Sequence, residues 1–444
     1  MKPTRLLIAS LLLAICAGLF WWLNRKEASA SKAPAVTVAA SPKILEVPQD
    51  QIQSITIEKA GAEALELKRA GGKWSITAPT ALGADQDAVS SMVSTLASLN
   101  SDKVVEEKAA DVGQYGLSKP SLSITVAKQD GKTSKLLFGD ETPTNSGSYA
   151  ELTGDPRVFV VASYNKSSLD KSVTDLQDKR LITLDTDKLS RVELTAKKET
   201  IEFGRNKEQW QILKPKPMRA DQFAVDDLVR ALRDAKMDLS ATDDEKKLLS
   251  AFHAGTSVAT VKATDISGTQ ELQIRKTKDD YYAKSSAVAG VHKVASSLGT
   301  STDRSLEDFR NKKLFDFGFV DPDKIEIHDG AKSYFLTRGG SDWWSNGTKM
   351  DESTVSPVVG AIRDLSATKF PDSGFAGPSI EITVTSDSGK RVEKALIAKS
   401  GDNYIAKREN EPSLYQLTTS SITDLENSAA GVKVAAPEKK PAKK

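Results

Sequence analysis

ADQDAVSSMVSTLASL (84–99) returns 136 positions later as ADQFAVDDLVRALRDA (220–235). In the first stretch Val89, Met92, Val93, Leu96 and Leu99 fall at steps of three and four. Val225, Leu228, Val229, Leu232 and Ala235 take the same places in the second, and Val355, Val358, Val359, Ile362 and Leu365 take them in a third copy. That spacing predicts one helix, three times over, with an apolar stripe laid on a core. Asp85, Asp221 and Asp351 stand just before the stripe, where a carboxylate accepts the free N–H groups of a first turn. N-capping therefore explains a repeated acid that would otherwise suggest a metal.

Short alternating runs precede each helix. IQSITIEK (52–59), LSRVELTA (189–196) and DKIEIHDG (323–330) read as strands, followed by ALELKR (64–69), TIEFGR (200–205) and SYFLTR (333–338). A tryptophan strand comes next, holding Trp74, Trp210 and, in the third copy, the pair Trp343-Trp344. A large ring at one repeated strand position is a packing anchor. Ile76 and Ile212 accompany it, and Trp344 is the expected third anchor. After the helix, PSLSITV (120–126) matches PSIEITV (378–384), and DPRVFVV (155–161) matches EPSLYQL (411–417). The middle copy has SVATVKA (257–263), YYAK (281–284) and VHKVAS (291–296). Gly, Asp and Asn turns between such strands suit antiparallel pairing. A second helical stretch is expected at SLDKSVTDLQDKRL (168–181) and STDRSLEDFRNKKL (301–314), with its cations near a helix end.

The chain has 444 residues, 39% apolar and 27% charged, enough for several cores. Sixty-two basic against 60 acidic residues leave no broad field for nucleic acid. Lys2 and Arg5 precede LLIASLLLAICAGLFWWL (6–23), which Arg25 and Lys26 close. Eighteen uncharged residues cover roughly 27 Å, about one hydrocarbon core, and Trp21 and Trp22 suit its interface. The run is read as an uncleaved single-pass anchor. Cleavage after Ala28-Ser29-Ala30 is the rival reading, and Leu13-Ala14-Ile15-Cys16 only faintly resembles a lipobox. A long polar chain behind an N-terminal anchor is exported, so the repeats are expected on the periplasmic side of an inner membrane.

No catalytic, cofactor-binding or metal-binding residue emerges. Phosphate-cradle glycine patterns and the G-x-S-x-G elbow are absent. His253, His292 and His328 stand far apart, outside any H-E-x-x-H pattern. Cys16, the only cysteine, lies inside the apolar run. DETPTNSGSYAE (140–151) starts and ends with acids, but its glycine is misplaced for a calcium loop, and it reads as a strand connection.

The succession WSITAP, ADQDAVSSMVSTLASL, QYGLSKPSLSITV, KLLFGDETPTNSGSYAEL, DPRVFVV and DLQDKRLITLDTDKL resembles the bacterial domain-of-unknown-function family 4340. The likeness is best over residues 74–194 and continues through DFRNKKLFDFGFVDPDKI. The third copy departs from it, because Ser345-Asn346-Gly347 follow Trp344 where W-x-I-x-x-P is expected. The resemblance implies a membrane-tethered protein, encoded beside gliding-motility-type ABC transporter genes, with the permease or its auxiliary protein as partner. It implies no catalytic residues.

The expected fold is α+β: an N-terminal transmembrane helix followed by three tandem repeats of antiparallel strands with packed helices. The boundaries are an anchor at 1–26, a flexible linker at 27–43, repeats at 44–182, 183–315 and 316–428, and a disordered Lys-rich tail at 429–444. The expected function is that of a membrane-anchored extracytoplasmic accessory or scaffold protein rather than an enzyme, auxiliary to an ABC-type transport or motility system. A module binding a ligand or envelope polymer in inter-repeat grooves is the alternative, and a hydrolase with a dispersed site is the third reading.

Overall fold

The computed structural model describes residues 42–240 and 244–437. The expected anchor at 1–26, residues 27–41 of the expected linker and residues 438–444 of the expected tail lie outside the described residues. Among the described residues, no helix is long and apolar enough to cross a membrane.

Three separate sheets correspond to the three sequence copies, and their strands pair antiparallel. In the first, β1 (Ile52–Lys59), β2 (Leu65–Ala70), β3 (Lys73–Ala78) and β4 (Leu82–Gly83) form a meander running to one edge. The helix Gln86–Ala97 comes next, then β5 (Lys103–Glu106). A second meander of β6 (Leu122–Lys128), β7 (Thr133–Glu141), β8 (Gly147–Leu152) and β9 (Val158–Ala162) runs to the other edge. β1 pairs with β6 at the centre, giving the order β4-β3-β2-β1-β6-β7-β8-β9-β5. The second and third sheets repeat the plan with eight strands each. Their counterparts of β5 shrink to single bridges, Met237 to Val294 and Lys369 to Gln416. Residues 142–146 connect β7 to β8 through a Thr142 N–H to Gly147 carbonyl bond of 2.9 Å, as the strand-connection reading requires.

The repeated helix forms as its spacing predicts. Val89, Met92, Val93 and Leu96 are buried in the first copy, Val225, Leu228 and Leu232 in the second, Val355, Val358, Val359 and Ile362 in the third. Asp85 accepts the Ala88 N–H at 3.0 Å, Asp221 that of Ala224 at 3.0 Å and Asp351 that of Ser353 at 3.0 Å. All three acids are thus caps. Trp74 and Trp210 are buried with Ile76 and Ile212 beneath these helices. The third anchor is Trp343, 2% exposed, and Trp344 is 39% exposed. Register explains the correction: Arg69 opposes Trp74, Arg205 opposes Trp210 and Arg338 opposes Trp343. Neighbours on a strand face opposite sides, so choosing one tryptophan turns the other out.

The expected second helical stretch is broken. Helices Ser163–Leu169 and Val173–Leu176 end before the cations, as do Ser296–Thr302 and Leu306–Phe309. Beyond them the chain runs as an extended strap. Asp178 donates its N–H to Gly83 and Gln177 bridges Ala84, which closes the first module. Lys179 accepts from Met237, and Leu181 donates to Ala235, at the end of the next module's helix. The pattern recurs: Arg310 bridges Ala220, then Leu314 donates to Leu365 and Ala367 donates to Lys312. These backbone bonds replace helical ones, so the helix macrodipole is not what fixes the cations. The first module receives its strap from Pro42-Lys43-Ile44, with Lys43 bridging Asn100, so the linker's last residues are ordered. The third module is closed by its own continuation. A helix spans Thr419–Ala430, Val434 bridges Met350 and Ala435 donates to Lys349, so residues 429–435 are structured rather than a free tail.

A helix at Glu245–Ala254, capped by Asp244, is extra in the second module, where Phe252 packs on Tyr282 and Val291. The chain divides into two compact units, one through Asp178 and one from Lys179 onward, which holds the second and third sheets.

Candidate functional site

A cluster of titratable side chains lies inside the second unit, where the second module meets the third. Arg219 ends the second module's tryptophan meander. Its Nε lies 2.9 Å from Glu411 Oε1 and its Nη1 3.5 Å from Asp316 Oδ2. Its Nη2 donates to Tyr415 Oη at 3.3 Å and to the Lys313 carbonyl. Tyr415 donates to Glu411 Oε2 at 2.6 Å. Arg408 pairs with Glu411 at 2.7 Å and with Glu393 at 2.9 Å, and donates to the Leu314 carbonyl. Arg391 joins Glu393 at 3.2 Å. Nearby, the Arg310 guanidinium stacks 3.5 Å from the Phe370 ring centre.

Glu393 and Tyr415 are buried, so each charge there needs its partners. Burial pushes the Tyr415 phenol above its ordinary value; Arg219 opposes the shift and Glu411 adds to it. The neutral phenol is therefore a donor held on a carboxylate. Acids and guanidinium groups are matched one against another, which makes this arrangement a fastening between modules rather than a poised acid–base pair.

The first module holds the same parts without help from a neighbour. There Asp155 holds Arg157 at 2.6 Å, and the Arg157 guanidinium lies 5.0 Å from the Phe159 ring centre. In the third module Glu411, Ser413 and Tyr415 occupy those places. The guanidinium missing at Ser413 is supplied by Arg219, 5.8 Å from the Tyr415 ring. The acid and ring thus recur, and the cation is lent by the preceding module. At the corresponding positions the first module has Gly83 in place of Arg219. The second has Val288 and His292 in place of Glu411 and Tyr415.

A separate groove of about 450 Å³ lies within the second module, between the helices Gln222–Arg233 and Ser296–Thr302. Asp227, Arg230, Asp234, Lys236, Ser297 and Arg304 are among its lining residues. Asp227 and Arg230 pair at 3.1 Å, and Arg304 donates to the Ala224 carbonyl. The three histidines remain apart: His253 edges Phe252, His292 bonds the Ala289 carbonyl at 2.8 Å, and His328 bonds Ser333 at 2.9 Å. Among the described residues, no three His, Cys, Asp or Glu side chains gather where a metal ion could be held. Sequence reasoning passed over the Arg219 cluster because its members are local only in space. The signal present was the acid-x-x-x-aromatic pattern shared by 155–159 and 411–415, with arginine at 157 and serine at 413.

Three capped-helix, twin-meander modules, two of them fastened through partly buried ion pairs, define a class of tandem α+β platform. The chain belongs to the family of the domain of unknown function DUF4340, whose model matches residues 74–212 and again residues 210–379. No curated protein and no solved structure matches it. Each matched segment begins at a tryptophan strand, Trp74 or Trp210, and so starts partway through a sheet.

Proposed function

We propose that the protein is a membrane-anchored accessory or scaffold protein whose modules stand on the periplasmic side of the inner membrane and serve an ABC-type transport or motility system. The observation that carries this reading is the Arg219–Glu411–Tyr415 fastening. Its ionisable groups are engaged with one another, so what the modules offer is a fixed surface. The apolar run at 6–23 supplies the tether. The test is detergent extraction and affinity purification of the full chain from its native membranes. Stoichiometric recovery of a permease or its auxiliary protein is expected. Recovery of the chain alone, or its appearance in the soluble fraction with a start at Ser31, overturns the reading.

The groove between helices Gln222–Arg233 and Ser296–Thr302 favours a second reading, a ligand-binding module. Its mixed Arg230, Lys236, Asp227 and Asp234 lining suits a small zwitterionic or anionic compound. A concentration-dependent rise in Tm with such compounds, abolished in R230A/R304A, would support it. A flat response across amino-acid, nucleotide and sugar-phosphate panels removes it.

A further inference from the structure

We propose that the cavity between the helix Glu245–Ala254 and the outer face of the second sheet binds a small phosphomonoester, whose head lies between Arg275 and Lys284. The cavity measures about 400 Å³ and opens against the strands Thr256–Asp265, Gly268–Thr277 and Asp280–Ser285. Pockets for small molecules usually measure roughly 300–1,000 Å³. Leu249 and Phe252 form an apolar side, while Thr260, Gln273, Arg275 and Lys284 supply hydroxyl, amide and cationic groups. Among the described residues, no carboxylate lines it.

The other two modules fold without such a cavity. The core positions Phe138, Ile274 and Ile397, which face Ala150, Ala283 and Ala406, align the three sheets. One residue further on, Arg275 stands where the first module has Gly139 and the third has Ala398, both buried. In the first module the chain settles directly on the sheet there. A Cβ at Gly139 would overlap the Tyr115 carbonyl, and Tyr115 packs on Tyr149 with ring centres 4.9 Å apart. Phe252 makes the matching contact with Tyr282 in the second module. Arg275 wedges between that helix and the sheet. Its Nη1 donates to the Phe252 and His253 carbonyls at 3.1 and 3.3 Å, and its guanidinium lies 5.4 Å from the Phe252 ring centre. Gln273 stands where the other modules have Leu137 and Leu396, so an apolar position turns polar where the wedge opens the space.

Charge selects the ligand. Neither Lys284 nor Arg275 has a carboxylate within ion-pair reach among the described residues, and Nε and Nη2 of Arg275 are uncommitted. The end of the helix opposes an anion with about half a negative charge, and the Nη1 bonds cover the carbonyls that carry it. Glu271, on the same strand, is taken up by the Gln273 amide at 2.7 Å and faces Lys262 in register. Two positive charges thus outweigh about half a negative one, an excess that suits the charge of about −1.5 to −2 on a phosphomonoester.

This site is separate from the groove beside Arg230 and Arg304, and it stands whether or not the protein is an accessory of a transporter. The experiment titrates phenyl phosphate into the purified full chain by isothermal calorimetry at low salt. One saturable site per chain is expected. K284Q should keep the wild-type Tm and bind about tenfold more weakly, the size of one charge-assisted hydrogen bond, and K284R should restore the affinity. R230A/R304A should bind as wild type does, and so should K407Q, which alters the equivalent lysine of the third module. No saturable heat, wild-type affinity in K284Q, equal weakening by K407Q or loss in R230A/R304A would each overturn the proposal. So would binding to phosphatidylglycerol vesicles without binding to phenyl phosphate. A several-degree loss of Tm in K284Q would overturn it too, because the lysine would then be engaged within the fold.

Discussion

For a single tryptophan, what faces it decides its role. Gln86 receives the Trp74 N–H at 2.8 Å and returns its own amide N–H to the Trp74 carbonyl at 2.9 Å. Gln222 repeats both bonds on Trp210, so a side-chain amide completes the edge of each meander. In the third module Glu352 holds that position and carries no amide N–H. There the Met350 N–H bonds the Trp343 carbonyl at 2.8 Å instead. Removing a buried ring leaves a cavity, so W343A should cost about 3–5 kcal/mol of unfolding free energy. For the half-exposed neighbour, W344A should cost less than about 1 kcal/mol. Denaturant titration of the two variants checks the assignment, and equal losses would refute it. The anchor type was legible from composition and spacing alone. Which of two adjacent rings points inward was not, because strand parity in a short run is set by its partner, here Arg338.

Between elements, the fastening of the second module to the third can be tested in two ways. Cutting Arg219 back leaves Glu411 with Arg408 and the Tyr415 hydroxyl but removes one of its two guanidinium partners. R219A should therefore destabilise the second unit by about 3 kcal/mol. R219G/S413R restores the arrangement that Asp155, Arg157 and Phe159 make inside the first module. It should recover stability in the third module while its unfolding becomes separable from that of the second. Differential scanning calorimetry would show this as a split of one transition into two; a double variant no better than R219A contradicts the equivalence. Alkaline pH probes the same fastening. The folded Tyr415 phenol titrates above its ordinary value of 10.0, so its contribution is intact below pH 10. It is lost as pH rises from there through the folded value, because the folded state resists giving up the proton. The Tm difference between wild type and Y415F should therefore be constant below pH 10 and shrink above it. A difference that grows with alkalinity would reverse the assigned direction.

The helices and their caps were readable because periodicity and capping are local signals. The helix Glu245–Ala254 carried such a signal too, an Asp244 cap before Leu248, Ala251 and Phe252, although its short run lacks counterparts in the other copies. The straps were unreadable for a different reason. They are one or two residues of extended chain bonded to positions far away, and neither alternation nor a 3.6 period marks so short a contact.

For the whole molecule, three sequence copies become two compact units, and within the second the Arg219 network of partly buried charges holds the second and third sheets together. Calorimetry of the full chain should accordingly resolve two cooperative transitions; three of equal size would show that the fastening contributes little. The family model's segments, from Trp74 and from Trp210, describe the recurring sequence but divide the first and second sheets at their third strand. Fragments cut at those positions would separate a tryptophan hairpin from the sheet it completes, leaving unpaired edges that invite aggregation. Fragments cut after residue 178 respect the units.

The strap also imposes an order in time. The backbone that shuts the second module, at Arg310, leads within a few residues to the backbone that opens the third, at Leu314. A chain emerging from its N-terminal end therefore shuts each module only just before it begins the next, and contacts spanning so much sequence form late. Until Val434 has appeared, the third module has an open seam beside Met350. The stretch around Val434 thus acts as the clasp on the third module, and a ribosome or translocase that stalls short of it releases a protein whose third sheet stands ajar.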